Sequence, residues 1–484
     1  MHKLKKIIPQ QLKNVYHLLQ AILANFRYSF PACNAMRSIA GRPSKKIKVI
    51  GVTGTDGKTT TVQMIVRILE EAGKKVAVAS TINFKINGKE ENNLSHYTTE
   101  SSFALQKFIR QAVEAGCEYL VLEVSSHALD QYRVWGVEFQ TAVITNVTRE
   151  HLDYHKTMEK YRQAKKILFK NVAKNKGNLV VNLDMENPED FLDFEADKKF
   201  GYTADSSRST VDGLRKNVDL NVVKAEDIEL GIDGSSYKIQ DTCLPDRQAI
   251  SNKIQMTNVE IINAEEIELE ISGSVYKLKA TSYKLNVPGL FNIENALAAT
   301  CVALGEGIDL QVASEALSQI KGVAGRMEAV ANDLGVNILV DFALTPNALE
   351  KLYSLLYSVK KEGSKIIAIL GSCGDRDKGK RPLMGEIVAK YADVVILTNE
   401  EPYHENPQDI IDAIFVGIKN KTENENLWRI LDRREAIAKA LSIAQKDDII
   451  CITGMGSFET MVVGDKKLPW NDRRVIEEEL VKMQ

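Results

Sequence analysis

Residues 47–60 read Ile47-Lys48-Val49-Ile50-Gly51-Val52-Thr53-Gly54-Thr55-Asp56-Gly57-Lys58-Thr59-Thr60. The apolar start is typical of a buried strand, and a helical pattern follows the glycines through Glu71. A strand that turns through glycines into a helix presents backbone N–H groups to a phosphate, while a lysine supplies charge and a hydroxyl can reach Mg²⁺. The stretch therefore predicts a nucleotide-binding loop, with cofactor contacts from Gly54, Thr55, Asp56, Gly57, Lys58, Thr59 and Thr60.

Further apolar strands alternate with helical patterns along the chain. They are predicted in two groups, at 119–123, 142–146 and 179–182, and at 338–341, 366–370, 394–398 and 449–453. This alternation is typical of parallel sheets covered by helices on both faces. The predicted fold class is therefore α/β, with a doubly wound, mostly parallel P-loop domain that carries a β insertion, followed by a Rossmann-like α/β C-terminal domain.

The same patterns divide the chain into three predicted parts. A short helical segment covers 1–46, a central nucleotide-binding domain covers 47–321, and a C-terminal domain covers 322–484. The glycine-containing stretch 322–328 is the predicted hinge between the two domains. Polar residues at the strand ends of both domains predict ligand sites there, as is usual in α/β proteins.

The β insertion, at about 206–280, contains an internal repeat. Residues 225–230 recur as 264–269, and residues 234–238 recur as 273–277. Strand-type alternation with glycine turn signals predicts two β-hairpins from a duplicated unit. Because no catalytic group accompanies the repeat, we expect a surface insertion without chemistry.

Bulk composition excludes several classes of protein. Lys and Arg number 63 against 65 Asp and Glu, so the net charge of −2 gives no reason to expect nucleic acid or a membrane as the main partner. Six scattered cysteines without close pairs predict reduced thiols, and no apolar run is long enough to span a bilayer. We expect a cytoplasmic monomer that acts on small molecules.

One stretch near the start of the chain, 15–26, is amphipathic. Its polar residues His17, Gln20 and Asn25 interrupt the apolar run, which disfavours a signal peptide. Two interpretations remain open: a helix packed on the body of the protein, or a helix that lies in a membrane interface.

Chemically active side chains follow the predicted strands of the central domain. Glu123 ends one strand, where a carboxylate beside a phosphate loop is well placed to hold Mg²⁺. Two further stretches follow, Thr145-Asn146-Val147-Thr148-Arg149-Glu150-His151-Leu152-Asp153-Tyr154-His155 and Tyr161-Arg162-Gln163-Ala164-Lys165. Each side chain alone has an ordinary structural explanation, but their order and spacing beside the loop favour a catalytic site.

These stretches, with the loop Gly54-Thr55-Asp56-Gly57-Lys58-Thr59-Thr60, resemble the superfamily of Mur ligases and folylpolyglutamate synthetases. Within it they are most similar to the UDP-N-acetylmuramoyl-tripeptide synthetases of the MurE type. The resemblance runs from about Ile47 to the end of the chain, without the β insertion. Further matching stretches are Tyr97-Thr98-Thr99, Asn292-Ile293-Glu294-Asn295, Gly325-Arg326-Met327-Glu328, Val340-Asp341-Phe342-Ala343 and Gly374-Asp375-Arg376-Asp377-Lys378-Gly379-Lys380-Arg381-Pro382.

The resemblance implies an ATP-dependent carboxylate–amine ligase of peptidoglycan synthesis. Such an enzyme adds a lysine-like amino acid or diaminopimelate to a UDP-N-acetylmuramoyl-L-alanyl-D-glutamate-type peptide through an acyl phosphate. The implied cofactors are ATP, two Mg²⁺ ions and a carbamate formed from CO₂ on Lys165. The implied catalytic residues are Lys58, Glu123, His151 and Lys165, of which the last three, with Thr59, would also hold the metal ions.

The same resemblance implies further binding residues. Three match nucleotide-facing positions: Asn295, Arg326 and Asp341. Five match positions that hold the muramoyl peptide: Thr98, Thr99, Ser125, Gln131 and Arg133. Arg376 matches an arginine that binds the incoming amino acid.

Three departures from the family pattern affect what the resemblance implies. Only about 46 residues precede the first strand, which is too few for the family's UDP-binding N-terminal domain. The motif Ala-His-Thr-Pro reads Ala343-Leu344-Thr345-Pro346, so Leu344 cannot donate a hydrogen bond there.

The third departure lies in the amino-acid pocket. The diaminopimelate-type motif Asp-Asn-Pro-Arg reads Glu400-Glu401-Pro402-Tyr403, and Tyr403 cannot clamp a distal carboxylate as an arginine would. Two carboxylates favour a basic side chain, such as that of lysine. The family's Gly-Lys-Gly-His-Glu becomes Gly454-Met455-Gly456-Ser457-Phe458-Glu459, so Glu459 is expected to replace the pocket glutamate after a one-residue shift.

Two other functions remain compatible with the sequence. The first is another amide ligase of the superfamily, of the folylpolyglutamate or cyanophycin type. The second is a catalytically degenerate nucleotide-binding partner. Leu344 and the altered late motif favour it, but four retained residues disfavour it: Lys58, Glu123, His151 and Lys165. Release of ADP with different acceptors separates the three.

Overall fold

The computed structural model describes residues 10–29, 43–204, 220–231, 234–241, 267–271, 274–278 and 281–483. In the first part of the chain the helices are α1 (Gln10–Ser29), α2 (Lys58–Glu71), α3 (Ser102–Glu114), α4 (Ser126–Asp130), α5 (Leu152–His155), α6 (Met158–Lys174), α7 (Glu189–Leu192), α8 (Leu290–Gly305) and α9 (Leu310–Ser318). The strands are β1 (Lys48–Thr53), β2 (Val76–Ala79), β3 (Asn83–Ile86), β4 (Lys89–Asn92), β5 (Tyr119–Glu123), β6 (Phe139–Ile144), β7 (Asn178–Asn182), β8 (Lys198–Thr203), β9 (Asn221–Gly231), β10 (Gly234–Asp241), β11 (Ile267–Ile271), β12 (Ser274–Leu278) and β13 (Thr281–Leu285).

Eleven of these strands form one sheet in the order β13-β10-β9-β8-β7-β6-β1-β5-β2-β3-β4, and β11 and β12 pair with each other in a second sheet. Strand β1 pairs in parallel with β5 on one side and with β6 on the other. Ile50 of β1 packs into a core with α2 and α8, whereas Val49 packs into a core on the opposite face with α3 and α6. A strand buried on both faces needs apolar side chains at successive positions, which explains the continuous apolar run.

The duplicated unit forms two antiparallel hairpins, as its alternation predicted. In the first hairpin β9 pairs with β10, and in the second β11 pairs with β12. The first hairpin is part of the main sheet, because β9 pairs with β8 and its Val222 and Val223 are fully buried. It therefore extends the core, whereas a surface insertion was expected; the turn residues of both hairpins lie outside the described residues.

The second α/β unit has a six-stranded sheet in the order β14-β15-β19-β16-β17-β18. Its strands are β14 (Glu328–Val330), β15 (Asn337–Asp341), β16 (Ile366–Leu370), β17 (Val394–Leu397), β18 (Leu427–Arg429) and β19 (Ile449–Thr453), and β20 (Thr460–Val463) with β21 (Lys466–Pro469) forms a separate hairpin. Its helices are α10 (Pro346–Val359), α11 (Arg381–Tyr391), α12 (Pro407–Phe415), α13 (Arg433–Ile443) and α14 (Asp472–Met483). Within the six-stranded sheet only β14 runs antiparallel to its neighbour, which confirms the predicted Rossmann-like unit. The run of parallel pairs from β2 through β9 in the large sheet likewise confirms the predicted doubly wound, mostly parallel central domain.

Helix α1 lies against the central unit. It packs on α3, and Asn14 Nδ2 donates a hydrogen bond to Asp130 Oδ2 at 3.1 Å. This confirms a helix packed on the body of the protein. Among the helices that the structure describes, none is both long enough and apolar enough to cross a membrane.

Candidate active site

The phosphate loop connects β1 to α2 at the centre of the large sheet. Gly57 caps α2 in a left-handed conformation with φ of 81°, and Lys58 Nζ donates to the carbonyl oxygen of Thr55 at 2.7 Å. Asn146, at the end of β6, accepts a hydrogen bond from the backbone N–H of Asp56 at 2.9 Å. The neighbouring strand end thus fixes the loop in a conformation that presents the first turn of α2.

Gly54 provides a first test of this loop. A Cβ atom there would lie 1.8 Å from Thr145 Oγ1, and φ is 152°. Gly54→Ala is expected to lower the free energy of unfolding by about 2–3 kcal/mol and to abolish ADP binding, since clash and backbone strain add. Thermal unfolding and titration calorimetry measure both. Gly73→Ala is the matched control, because φ is 73° there but no atom lies within 4 Å; equal behaviour of the two variants would contradict the proposed clash.

Glu123 lies at the end of β5, next to the loop, and its side chain is 1% exposed. Thr59 Oγ1 donates to its two oxygens at 3.2 and 3.1 Å, and Thr81 donates from its backbone N–H at 2.9 Å and its hydroxyl at 3.0 Å. A carboxylate and a hydroxyl facing a phosphate loop are ligands of the kind that Mg²⁺ uses together with water and phosphate oxygens. Among the described residues, no group of three His, Cys, Asp or Glu side chains is arranged to hold a metal ion.

Lys165 projects from α6 beneath the phosphate loop. Its amine is 1% exposed, donates to the carbonyl oxygen of Gly54 at 2.6 Å and lies 4.4 Å from the ring centre of Tyr161. Burial, and then the positive charge of Lys58, hold the pKa of this amine well below its usual range. The arrangement therefore favours a neutral amine at the floor of the site.

Three imidazoles surround this part of the site. The ring of His127 lies 4.6 Å from that of His151 and 5.5 Å from that of His155. Burial lowers the pKa of His127 to about 3 and that of His155 to about 4, and it lowers the pKa of His151 well below its usual range. His151 is thus neutral at physiological pH, which is the form that can ligate a metal.

The nucleotide-facing residues predicted from the second half of the chain approach the loop. Arg326 Nη2 donates to Thr59 Oγ1 at 3.3 Å, and its guanidinium lies 4.4 Å from the ring centre of Phe342. Asp341 accepts from the backbone N–H groups of Met327 and Ala343, each at 2.7 Å. Asn295 Oδ1 accepts from the hydroxyl of Thr61 at 3.1 Å.

Polar contacts between the two units close one cavity around these groups. Thr345 Oγ1 donates to both oxygens of Asp56 at 3.2 Å, and Lys380 Nζ lies 3.2 Å from a carboxylate oxygen of Glu150. Lys380 and Glu150 have side chains only 4% and 12% exposed. Because Asp56 belongs to the phosphate loop, closure of the second unit is coupled directly to the nucleotide site.

The predicted amino-acid pocket lies at the same closure. Glu401 accepts from the backbone N–H of Val462 at 3.2 Å and from the Tyr403 hydroxyl at 3.3 Å, and His96 Nδ1 of the central unit lies 3.1 Å from it. The Arg376 guanidinium lies 5.5 Å from the ring centre of Tyr403. Burial raises the pKa of the adjacent Glu400 to about 7, and the Cys373 thiol donates to it at 2.9 Å.

The predicted muramoyl-peptide residues form a network beside Glu123. Thr99 Oγ1 donates to the carbonyl oxygen of Glu123 at 2.9 Å and accepts from the Ser125 N–H at 3.0 Å. Arg133 donates to the Thr99 carbonyl at 3.0 Å and to Gln131. These hydrogen bonds hold the Arg133 guanidinium beside the cavity, whose lining does not include it.

Most of the site residues predicted from the sequence line one cavity of about 270 Å³: Thr55, Asp56, Gly57, Lys58, Thr59, Thr60, Thr98, Glu123, His151, Asn295, Arg326, Asp341, Arg376, Glu401 and Tyr403. The other predicted site residues do not line this cavity: Gly54, Thr99, Ser125, Gln131, Arg133, Lys165, Gly454 and Glu459. Gly454 packs against Glu400, since a Cβ there would lie 2.2 Å from the carboxylate.

Glu459 departs most clearly from expectation. It lines a separate groove with Asn471 and Arg473, while Phe458 takes the cavity-facing position and stacks on His96 with ring centres 4.1 Å apart. The one-residue shift in this motif therefore turns the aromatic ring inward and the carboxylate outward. The sequence also did not single out His96, Thr81, Glu150 or Lys380, which line the cavity. Thr81 reaches Glu123 within the central unit, whereas the contacts of His96 with Glu401 and of Lys380 with Glu150 form only where the two units meet.

A family model described as the Mur ligase middle domain matches residues 52–303, and one described as the Mur ligase, glutamate ligase domain matches residues 325–456. The chain belongs to the Mur ligase family. It is thereby an ATP-dependent enzyme that forms amide bonds.

Among Mur ligases, one curated relative is the UDP-N-acetylmuramoyl-L-alanyl-D-glutamate–2,6-diaminopimelate ligase of Clostridium botulinum. It is 37% identical over 440 residues, which are 90% of this chain and 79% of the relative. A solved structure of an enzyme with the same description is 26% identical, with a TM-score of 0.56 over 90% of this chain and 79% of that one. The folylpolyglutamate synthase of Mycobacterium tuberculosis, complexed with ADP and AMPPCP, shares the fold at 15% identity, with a TM-score of 0.61 over 91% and 96%.

Proposed function

We propose that this Mur ligase adds an amino acid to a UDP-N-acetylmuramoyl-L-alanyl-D-glutamate-type peptide in the cytoplasmic stage of peptidoglycan synthesis. The observation that carries the proposal is the single cavity that combines a phosphate loop, Glu123, neutral His151 and the cationic Arg376. Relatives named for this reaction align with 90% of the chain. We further propose that the enzyme acts as a monomer.

The proposed reaction has two steps. The acceptor carboxylate attacks the γ-phosphate of ATP, which gives an acyl phosphate and ADP, and the amine then attacks the acyl carbon and releases phosphate. Lys58 and Arg326 supply positive charge where the phosphates gather negative charge. The contacts from Thr345 and Lys380 close the cavity and exclude water that would hydrolyse the acyl phosphate.

The proposal includes two Mg²⁺ ions, because the donor groups of this site are of the kind that such ions bind. Glu123, the Thr59 hydroxyl and neutral His151 would hold them, together with phosphate oxygens and water. When bound, the ions neutralise charge on the transferred phosphoryl group. The fluorescence of a bound, fluorescently labelled ADP, measured as the Mg²⁺ concentration is raised, would report this metal binding without turnover.

The carbamate on Lys165 belongs to the same proposal. A neutral amine reacts with CO₂ to form a carbamate and release a proton, and the depressed pKa of Lys165 favours the neutral form. The product is an anion in place of a neutral buried amine. It would add an oxygen donor to the set formed by Glu123 and His151.

The amino acid added is proposed to carry a basic side chain, as lysine does. Glu400 and Glu401 lie where the related diaminopimelate-type motif has Asp and Asn, and Tyr403 replaces its arginine. A distal ammonium group would be attracted by the Glu401 carboxylate, whereas a distal carboxylate would find no arginine at position 403. Diaminopimelate remains the alternative, because the aligned relatives are named for it.

An amino-acid panel tests this assignment. Phosphate release is measured with ATP, Mg²⁺, UDP-N-acetylmuramoyl-L-alanyl-D-glutamate and either lysine, ornithine or meso-diaminopimelate. The expected result is turnover with lysine or ornithine, and a shift of about tenfold or more toward diaminopimelate in Tyr403→Arg, because a bidentate guanidinium–carboxylate pair is restored. Tyr357→Arg, at an exposed tyrosine outside the cavity, is the control.

Each contrary outcome has a distinct meaning. Preference of the unaltered enzyme for diaminopimelate would overturn the lysine-like assignment but keep the ligase. Turnover with folate-type or polyanionic peptide acceptors alone would favour another branch of the superfamily. No ADP release with any acceptor would favour a degenerate nucleotide-binding partner.

A further inference from the structure

Helix α1 turns its polar and small side chains toward the protein. Gln10 Nε2 donates to the Tyr154 hydroxyl at 3.0 Å, and Asn25 Nδ2 donates to the Gly136 carbonyl at 3.3 Å. Ala21 and Ala24 are fully buried on the same face. These contacts fix the rotation of the helix about its own axis.

The opposite face of α1 presents large apolar side chains to solvent. Six of them recur at spacings of three or four residues and are 40–61% exposed: Leu12, Val15, Tyr16, Leu19, Ile22 and Leu23. At 100° per residue they fall on one stripe along the helix, which we call the outer stripe. A helix that packs on a protein normally buries its apolar stripe. Here the apolar stripe faces solvent and the polar face contacts the protein, and an exposed apolar patch of this kind is typical of an interaction surface.

The part of the sequence that contains this helix carries formal charge of one sign. All 65 acidic residues of the chain lie at or beyond Asp56, so the first 55 residues contain no Asp or Glu. The same 55 residues contain these basic side chains: Lys3, Lys5, Lys6, Lys13, Arg27, Arg37, Arg42, Lys45, Lys46 and Lys48. Lys45 and Lys48 pair with Glu138 and Glu306, whereas Lys13 and Arg27 lie on α1 itself. The stretch of sequence that contains the exposed apolar helix is thus basic and has no acidic residue, in a chain with a net charge of only −2.

We propose that α1 docks this protein onto the surface of an anionic lipid bilayer, with the outer stripe inserted at the level of the headgroups. An apolar face combined with flanking Lys and Arg is the composition that binds anionic membrane interfaces. Docking of a second copy through the same face would bring two cationic segments together, which like-charge repulsion opposes. The anionic surface is therefore the partner that satisfies both the stripe and the charge.

Helix α1 packs on the acceptor side of the molecule through the face opposite the outer stripe. Asn14 contacts Asp130, which directly precedes Gln131, and Arg133 lies close enough to His17 to contribute to lowering its pKa, after burial. Gln131 and Arg133 are proposed above to hold the muramoyl peptide, and this orientation rests on that proposed function. Bilayer docking itself does not depend on it, because vesicle binding is measured without turnover.

Vesicle flotation tests the docking. The full chain is mixed with vesicles of phosphatidylcholine alone or of phosphatidylcholine with phosphatidylglycerol, at low and high salt. We expect binding to the anionic vesicles that weakens with salt, and at least tenfold weaker binding of the double variant Leu19→Glu, Leu23→Glu. Val481→Glu is the matched control, because Val481 is an equally apolar residue 70% exposed on α14.

Further measurements distinguish loss of vesicle binding from loss of folding and from dimerisation. Circular dichroism and phosphate release in the absence of vesicles should be unchanged in the double variant, so that loss of vesicle binding is not loss of folding. Absence of binding by the unaltered protein, or equal binding by the double variant, would overturn the proposal. A dimer in analytical ultracentrifugation that the double variant dissociates would overturn it in favour of a second copy.

Discussion

Replacing Lys165 by alanine is expected to lower phosphate release about a thousandfold while leaving the fold intact. The expectation follows from the position of the amine, which is buried beneath the phosphate loop with its pKa depressed well below its usual range. If the amine is converted to a carbamate, the variant loses a negative oxygen donor beside the metal-binding groups, and groups of this kind contribute about 10²–10³ in rate. Lys165→Arg should be equally inactive, because a guanidinium cannot form the carbamate.

The control for Lys165 is its neighbour on the same helix. Lys166 pairs with Asp190 at 2.6 Å and is partly exposed, so Lys166→Ala should keep nearly full activity. Incubation with ¹³C-bicarbonate provides a readout besides turnover, since a carbamate carbon signal is expected in the unaltered protein and in Lys166→Ala only. A fully active Lys165→Ala enzyme would exclude the carbamate proposal.

Replacing Lys380 by methionine is expected to lower turnover about a hundredfold and to leave ADP affinity nearly unchanged. Lys380 reaches from the second unit to Glu150 of the central unit, and both side chains are almost fully buried. Removing one partner leaves a buried carboxylate uncompensated, which costs about 3–5 kcal/mol. The cost falls on the closed state, because opening of the cavity exposes Glu150 to water again.

The double variant distinguishes closure from direct substrate contact. Glu150→Gln in the background of Lys380→Met removes the uncompensated charge and should recover part of the lost turnover. No recovery would mean that Lys380 acts on substrate instead. Lys390→Met, which removes an exposed pair with Glu350 within the second unit, should behave as the unaltered enzyme.

The sequence predicted the strands that carry the site because their apolar runs are continuous. The bounds of β5, β16 and β19 agree with the prediction, and Lys58, Glu123 and His151 meet in one cavity as their positions at strand ends and beyond implied. Such strands are buried on both faces of the sheet, so every residue contributes to the pattern. Local sequence is sufficient wherever local burial decides the structure.

Contacts between distant parts of the chain were not predictable in this way. The bond from Thr345 to Asp56 and the stacking of Phe458 on His96 join residues that share no local pattern. The rotation of α1 was likewise hidden, since an apolar stripe normally indicates the buried face and here the polar face is held by Asp130 and Tyr154. The amino-acid pocket and the docking face therefore needed the assembled structure.

The two copies of the duplicated unit belong to different sheets. The first, β9–β10, is held on both sides by β8 and β13, whereas β11 and β12 pair only with each other among the described strands. In the main sheet β10 pairs directly with β13, with Ile239 opposite Thr281, so the described ladder does not use the second hairpin. We therefore expect the second hairpin to be the place where a fluorescent reporter can be inserted with the least disturbance of that ladder.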